Sequence, residues 1–120
     1  MQTKVTFSTT RLGRTGLAIT CIGLGSWAIG GGGWELGWGP QDDEASLGAI
    51  QQALEQGVNW IDTAAAYGCG RSEQVVGRAL RGLDRRPFVF TKCPLLEGPG
   101  RRVVHRLSRD SILRETEATL

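Results

Sequence analysis

An α/β fold built from repeated strand–loop–helix units is predicted by three observations. Short apolar runs end at Gly25, Asp62 and Lys92. Segments with apolar residues at 3,4 spacing follow them. Glycines at Gly57 and Gly82 mark brief returns from helix to strand. Strands that alternate with helices lie parallel and are joined by right-handed crossovers. The doubly wound sheet and the (β/α)8 barrel both use this unit, and periodicity alone does not choose between them.

The elements follow in order. Residues 11–19 place two short apolar ends around a glycine-containing turn, which predicts a small hairpin. Residues 21–25 (Cys-Ile-Gly-Leu-Gly) predict a buried strand ending near Gly25. Residues 30–40 hold a glycine run with Trp34 and Trp38 and predict a long loop. Its two tryptophans argue for a function. Residues 42–56 predict a helix. Asp42, Asp43 and Glu44 sit where the helix dipole favours negative charge, and Leu47, Ile50, Ala53 and Leu54 form an apolar stripe. Residues 58–62 form a second strand. A second helix spans about 72–80, with Ser72 as its N-cap and Val75, Val76, Ala79 and Leu80 as its buried face. Residues 87–92 form a third strand. A loop rich in glycine, proline and arginine then runs to about Leu107. A third helix starts near Ser108 or Arg109.

Composition narrows the class. The chain has 120 residues, enough for one domain with a core, with 40% hydrophobic and 22% charged residues. No apolar run approaches the length of a membrane span. The first residues lack an apolar secretory segment, so a cytoplasmic protein is expected. Three cysteines, Cys21, Cys69 and Cys93, fit free thiols better than a disulfide frame, and no Cys/His spacing resembles a zinc site. Net charge is +2, split as −3 over residues 1–70 and +5 over residues 71–120. The basic half reads as a solvated, arginine-rich helical surface. It lacks the interleaved aromatics of a single-strand nucleic-acid binder.

Two constellations carry chemistry. Residues 23–28 match G-x-G-x-x-A, a dinucleotide fingerprint that requires a helix to start at once. Here Ile29 is followed by four glycines and no helix is predicted for ten residues. The second constellation is sharper. Parallel strands bring their C-terminal ends to one rim, where ligands bind in both architectures. That rim receives Gly25, Asp62, Tyr67 and Lys92. A tyrosine ordinarily titrates near 10, too high for an efficient donor at neutrality, and a nearby ammonium favours its phenolate. Asp62 can hold Lys92 in place. Tyr67 can then protonate a carbonyl oxygen, with hydride supplied by a cofactor. Each residue alone has a plainer reading: a cap or bridge for Asp62, a packed ring for Tyr67, a strand-end charge for Lys92.

Residues 59–64 (Asn-Trp-Ile-Asp-Thr-Ala) followed by 67–73 (Tyr-Gly-Cys-Gly-Arg-Ser-Glu) closely resemble the signature of the aldo-keto reductase family. So do residues 11–16 before them and the Thr91-Lys92 strand end after them. The resemblance runs from about Arg11 to the last residue. It implies the N-terminal part of a (β/α)8 TIM barrel: a hairpin over 11–19 that closes the barrel's bottom, then about three βα units from about 21, 58 and 87, all within one partial domain over 1–120. It implies NAD(P)H-dependent reduction of aldehydes and ketones to alcohols, or the reverse, with NADPH expected and NADH left open. By motif, Asp62, Tyr67 and Lys92 resemble three members of the family's Asp-Tyr-Lys-His tetrad. Gly25, Ser26, Trp27 and Asp62 correspond to the nicotinamide side of the cofactor. Trp27, Trp34, Trp38 and Tyr67 correspond to the substrate pocket, which takes a small carbonyl compound, with no metal, nucleic acid or membrane.

The family's histidine ends its fourth strand. His105, the one histidine here, lies before the third helix and does not match it. Three units cannot close a barrel. The expectation is therefore an N-terminal piece, inactive alone. It should self-associate through an open apolar sheet face drawn from Ile22, Leu24, Trp60, Phe88 and Phe90. A non-catalytic remnant or interaction module is one alternative. A Rossmann-like nucleotide-binding module is another, distinguished by a helix starting directly after Gly25.

Overall fold

The computed structural model describes residues 5–93 and 95–119. Strands β1 (Thr9–Arg11) and β2 (Ala18–Thr20) pair antiparallel, with Thr9 opposite Thr20. The turn between them uses Gly13 and Gly16, both at positive φ. Strands β3 (Leu24–Gly25), β4 (Trp60–Asp62) and β5 (Phe88–Phe90) form a parallel sheet in the order β3-β4-β5. Helix α1 (Asp43–Glu55) links β3 to β4, and α2 (Arg71–Ala79) links β4 to β5. An antiparallel ribbon of β6 (Leu95–Glu97) and β7 (Val103–His105) precedes α3 (Arg109–Thr119).

The core lies between the sheet and the first two helices. Ile50, Ile61, Val75, Val76, Ala79 and Leu80 are buried together, with Leu24, Ile29, Leu47 and Leu54 packed against them. Ile50 and Ile61 are fully buried, so truncating either to alanine costs about 2–5 kcal/mol. The two-residue period of a strand sets Leu24, Ile61 and Val89 in register toward the helices. Trp60, Asp62, Phe88 and Phe90 then share the opposite face. There the Trp60 and Phe90 ring centroids lie 5.7 Å apart. Gly23 is required beneath them, because a Cβ at this position would overlap the Trp60 indole.

Side chains tie the hairpin to the N-terminal end of the sheet. Thr20 N donates to Asn59 Oδ1 at 2.8 Å, and Trp60 Nε1 donates to the Thr20 carbonyl at 2.9 Å. These bonds also shorten the strand expected over residues 21–25. Thr20 Oγ1 donates to the Ile22 carbonyl at 2.7 Å, which bends the chain, and only Leu24–Gly25 pairs with β4.

Three other expectations change, and one alternative falls. Ser72 does not cap α2: Gly70 holds the N-cap position at φ +94, and Ser72 is buried inside the first turn. The loop expected before α3 folds as the β6–β7 ribbon. Leu24 packs toward the helices, and Ile22 is exposed outside the sheet, so neither belongs to the open face. No helix starts directly after Gly25. A single 3-10 turn over Ala28–Gly30 is followed by the glycine loop, and α1 begins at Asp43, which removes the Rossmann-like reading.

The acidic start of α1 does more than face its dipole. Asp42 Oδ1 accepts from Ala45 N at 2.7 Å as an N-cap. Asp43 receives Arg71 at 2.7 Å and Arg78 at 3.3 Å, and Glu44 receives Arg78 at 2.9 Å, so two arginines of α2 clamp α1. The hydrogen bond from Arg71 holds the Asp43 carboxyl below its ordinary range, and burial opposes it only in part. A lowered carboxyl contributes stability above the ordinary carboxylate range and loses it as pH falls through the lowered value. Asp43→Asn should therefore lower the urea midpoint at neutral pH, and its deficit against the parent should shrink toward about pH 2. Urea melts at both pH values check this. A deficit that is the same at both would contradict the clamp.

Candidate active site

Strand register brings the site together. Gly25 pairs with Asp62, and Asp62 with Phe90, so three strand ends share one rim. Lys92 lies two residues past β5, on the face of Phe90 and Asp62. Its Nζ donates to Asp62 Oδ1 at 2.7 Å and to the Thr63 carbonyl at 2.9 Å, and lies 3.4 Å from Tyr67 Oη. The ammonium also sits 5.2 Å from the Tyr67 ring centroid. Burial works against the Lys92 charge, but the bonds to Asp62 and Tyr67 outweigh it and hold the amine above its ordinary range. Lys92 is therefore charged at neutral pH, beside a phenol and a carboxylate. A phenol so placed can release a proton while the ammonium stabilises the oxygen it leaves behind.

Tyr67 stands in the turn after β4. Its N–H donates to the Ala64 carbonyl at 3.1 Å, and its carbonyl accepts from Ser72 N at 3.1 Å. Gly30 and Gly68 pass each other backbone to backbone: a Cβ on Gly30 would strike the Tyr67–Gly68 peptide, and one on Gly68 would strike the Gly30 carbonyl. Gly68 is also at φ +64. The local concentration of glycine thus lets the tryptophan loop lie directly on the turn that carries Tyr67.

Beneath the rim, Ser26 is fully buried. Its N–H and Oγ both donate to the Asp62 carbonyl, at 3.0 and 2.9 Å. Ser72 Oγ lies 2.9 Å from the Ser26 carbonyl and 3.2 Å from Thr63 Oγ1. These hydroxyls lock the ends of β3 and β4 to the start of α2. Gly25 itself is exposed at the rim.

The three tryptophans expected at the substrate pocket take different places. Trp34 is buried, donates Nε1 to the Gly31 carbonyl at 3.0 Å, and sets its ring 6.4 Å from that of Tyr67. Trp27 donates to the Leu36 carbonyl at 2.9 Å and meets Trp38 edge-on at 5.1 Å. Both of these rings are exposed. Cys69, two residues past Tyr67, has its thiol pushed up by burial and then by the Glu97 charge, which keeps it a weak nucleophile. His105 lies exposed on β7, opposite Leu95. Sequence reasoning missed the Thr63 carbonyl as a Lys92 partner, since backbone groups carry no residue signature. It also missed the Ser26–Ser72–Thr63 cluster, although a serine inside a helix's first turn was a signal for it.

Comparisons with known proteins bear on the family and the fold. The family model described as "Aldo/keto reductase family" matches residues 22–120. The aldo-keto reductase YhdN of Bacillus subtilis is 39% identical over 113 residues, covering 92% of this chain and 33% of that protein. The NADH-specific methylglyoxal reductase of Escherichia coli is 39% identical over 119 residues, covering 91% and 36%. A solved glycerol dehydrogenase of Gluconobacter oxydans aligns with a TM-score of 0.79 at 36% identity, covering 94% of this chain and 35% of that one. The chain spans about a third of the length of these relatives. Its hairpin and three βα units correspond to the N-terminal part of a (β/α)8 barrel.

The backbone crossing under Tyr67 generates a prediction. Gly68→Ala forces a side chain into a left-handed residue already touching Gly30, and should cost about 1–3 kcal/mol. A urea midpoint equal to the parent's would contradict the close approach.

Proposed function

The chain belongs to the aldo/keto reductase family, and on that premise we propose that its rim serves the reduction of a small aldehyde or ketone to an alcohol. The observation that carries this reading is the contact of one ammonium, Lys92 Nζ, with both the Asp62 carboxylate and the Tyr67 hydroxyl. Tyr67 donates its proton to the carbonyl oxygen as negative charge gathers there. Lys92 stabilises the phenol oxygen as the proton leaves, and Asp62 with the Thr63 carbonyl fixes Lys92 in that position.

A nicotinamide fits the residues present. Gly25 is exposed in register with Asp62, with open space where a Cβ would stand, so a planar ring can approach without meeting a side chain. In this reading Gly25, Trp27 and Asp62 hold the nicotinamide end, while buried Ser26 supports it from beneath. When bound, the cofactor supplies the hydride. NADPH is the proposed form, and NADH is the comparison to make, since one similar protein is named NADH-specific. Trp27, Trp34 and Trp38 wall the substrate side with Tyr67. Three free thiols accord with a reducing compartment, and the cytoplasm is the proposed location.

The sheet face of Trp60, Phe88 and Phe90 is half-buried and, among the described residues, carries no helix. In this reading the 120-residue chain on its own self-associates through it, and sedimentation should show a concentration-dependent mass. A monomer at all concentrations would remove that part of the proposal.

The catalytic assignment is tested in the gene product that carries these residues. Tyr67→Phe keeps the ring and deletes the acidic proton. It should lower carbonyl reduction about 10²–10⁴-fold while leaving nicotinamide affinity nearly unchanged. Full activity in Tyr67→Phe would sink the assignment.

A further inference from the structure

We propose that Arg101 is a positioning residue that staples the turn carrying Tyr67 to the loop carrying Trp34, and that Glu35 completes the staple from the other side. The inference rests on reading Tyr67 as the proton donor. Arg101 lies between β6 and β7 at φ +58, a left-handed conformation that side chains rarely adopt. Its Nε donates to the Gly33 carbonyl at 2.7 Å, and Nη2 reaches the Gly68 carbonyl at 3.3 Å. Gly33 immediately precedes Trp34, and Gly68 immediately follows Tyr67. One planar guanidinium therefore grips the backbone beside each member of the aromatic pair.

Glu35 answers on the same ribbon. Its carboxylate accepts from Val103 N at 2.6 Å, and its own N–H donates to the Arg101 carbonyl at 3.2 Å. The β6–β7 ribbon is thereby fastened to the tryptophan loop at two successive levels.

The contacts have a mechanical consequence. The near side of the Tyr67 turn is held by the Ala64 carbonyl and by Ser72 N. Its far side, at Gly68, is held across the rim by Arg101. A proton donor must stay within hydrogen-bond reach of its acceptor, and a misplacement of about 1 Å can cost about 10²-fold. Lysine keeps the charge of arginine but lacks the fork that reaches two carbonyls at once.

Tyr67 is the sole tyrosine of the chain, so fluorotyrosine labelling gives one ¹⁹F resonance that reports this ring without any assay. Arg101→Ala and Arg101→Lys should both displace that resonance from its parent position, with helical circular dichroism retained. Arg102→Ala, one residue along the ribbon, should leave it in place. In the gene product that carries these residues, Arg101→Ala should lower kcat by about 10²-fold with cofactor affinity nearly unchanged. A parent-like resonance in either Arg101 variant overturns the staple, whatever the assay reads. Should Arg101→Ala lose its helical signal, Arg101→Lys decides alone. Failure of the catalytic reading shows elsewhere: full activity in Tyr67→Phe removes the proton-donor role yet leaves the resonance shifts in the Arg101 variants as they are.

Discussion

The Lys92 ammonium is the group on which the rim depends. It donates to Asp62 Oδ1 at 2.7 Å and to the Thr63 carbonyl at 2.9 Å, and reaches Tyr67 Oη at 3.4 Å. These partners come from the end of β4, the residue after it and the turn beyond. Lys92 itself comes from past the end of β5. One charge thus gathers three segments that the parallel sheet has already brought to the same edge. The Asp62–Lys92 pair is half-exposed, so its worth as a stabilising ion pair is small. Its value lies in where it holds the charge, 3.4 Å from the Tyr67 hydroxyl oxygen.

The framework around that charge is closely packed and fully bonded for reasons that lie in small residues. Ser26, Thr63 and Ser72 are fully buried and satisfy one another and the Asp62 carbonyl. Their hydroxyls fix the depth at which β3 and β4 meet α2. Gly30 and Gly68 let two loops touch where any larger residue would separate them. Tyr67 is therefore placed by backbone contacts on one side and by the Trp34 loop on the other. The arginine clamp between α1 and α2 sets the helices that carry these loops.

Much of this was legible in the residues. The βα alternation, a helix over 42–56 (observed as Asp43–Glu55) and the rim position of Asp62, Tyr67 and Lys92 follow from apolar periodicity and from parallel topology. The short signature around Asp62 and Tyr67 sufficed to point to the family. Other features were not legible for physical reasons. The β6–β7 ribbon hides in a sequence of glycines, proline and arginines, because its pairing is two short strands around a tight turn with Gly100 and Arg101 at positive φ. Ser72 has the chemistry of an N-cap, but the buried serine and threonine beside it recruit its hydroxyl inward. Apolar character alone points Leu24 to the open face, and the register with Ile61 places it toward the helices instead. The acidic start of α1 reads from sequence as a dipole effect, and its arginine partners on α2 are visible only once the helices pack. Arg101 carries no local signal of its long-range contacts with Gly33 and Gly68.

A double-mutant cycle of Lys92→Met and Tyr67→Phe tests the central claim most directly, read as kcat/KM for carbonyl reduction in the gene product that carries these residues. If Lys92 acts through the Tyr67 hydroxyl, removing that hydroxyl leaves the ammonium little to do. The double variant should then be about as slow as Tyr67→Phe alone, a strongly non-additive result. Losses that simply multiply would show that the two residues work independently, and would contradict the account.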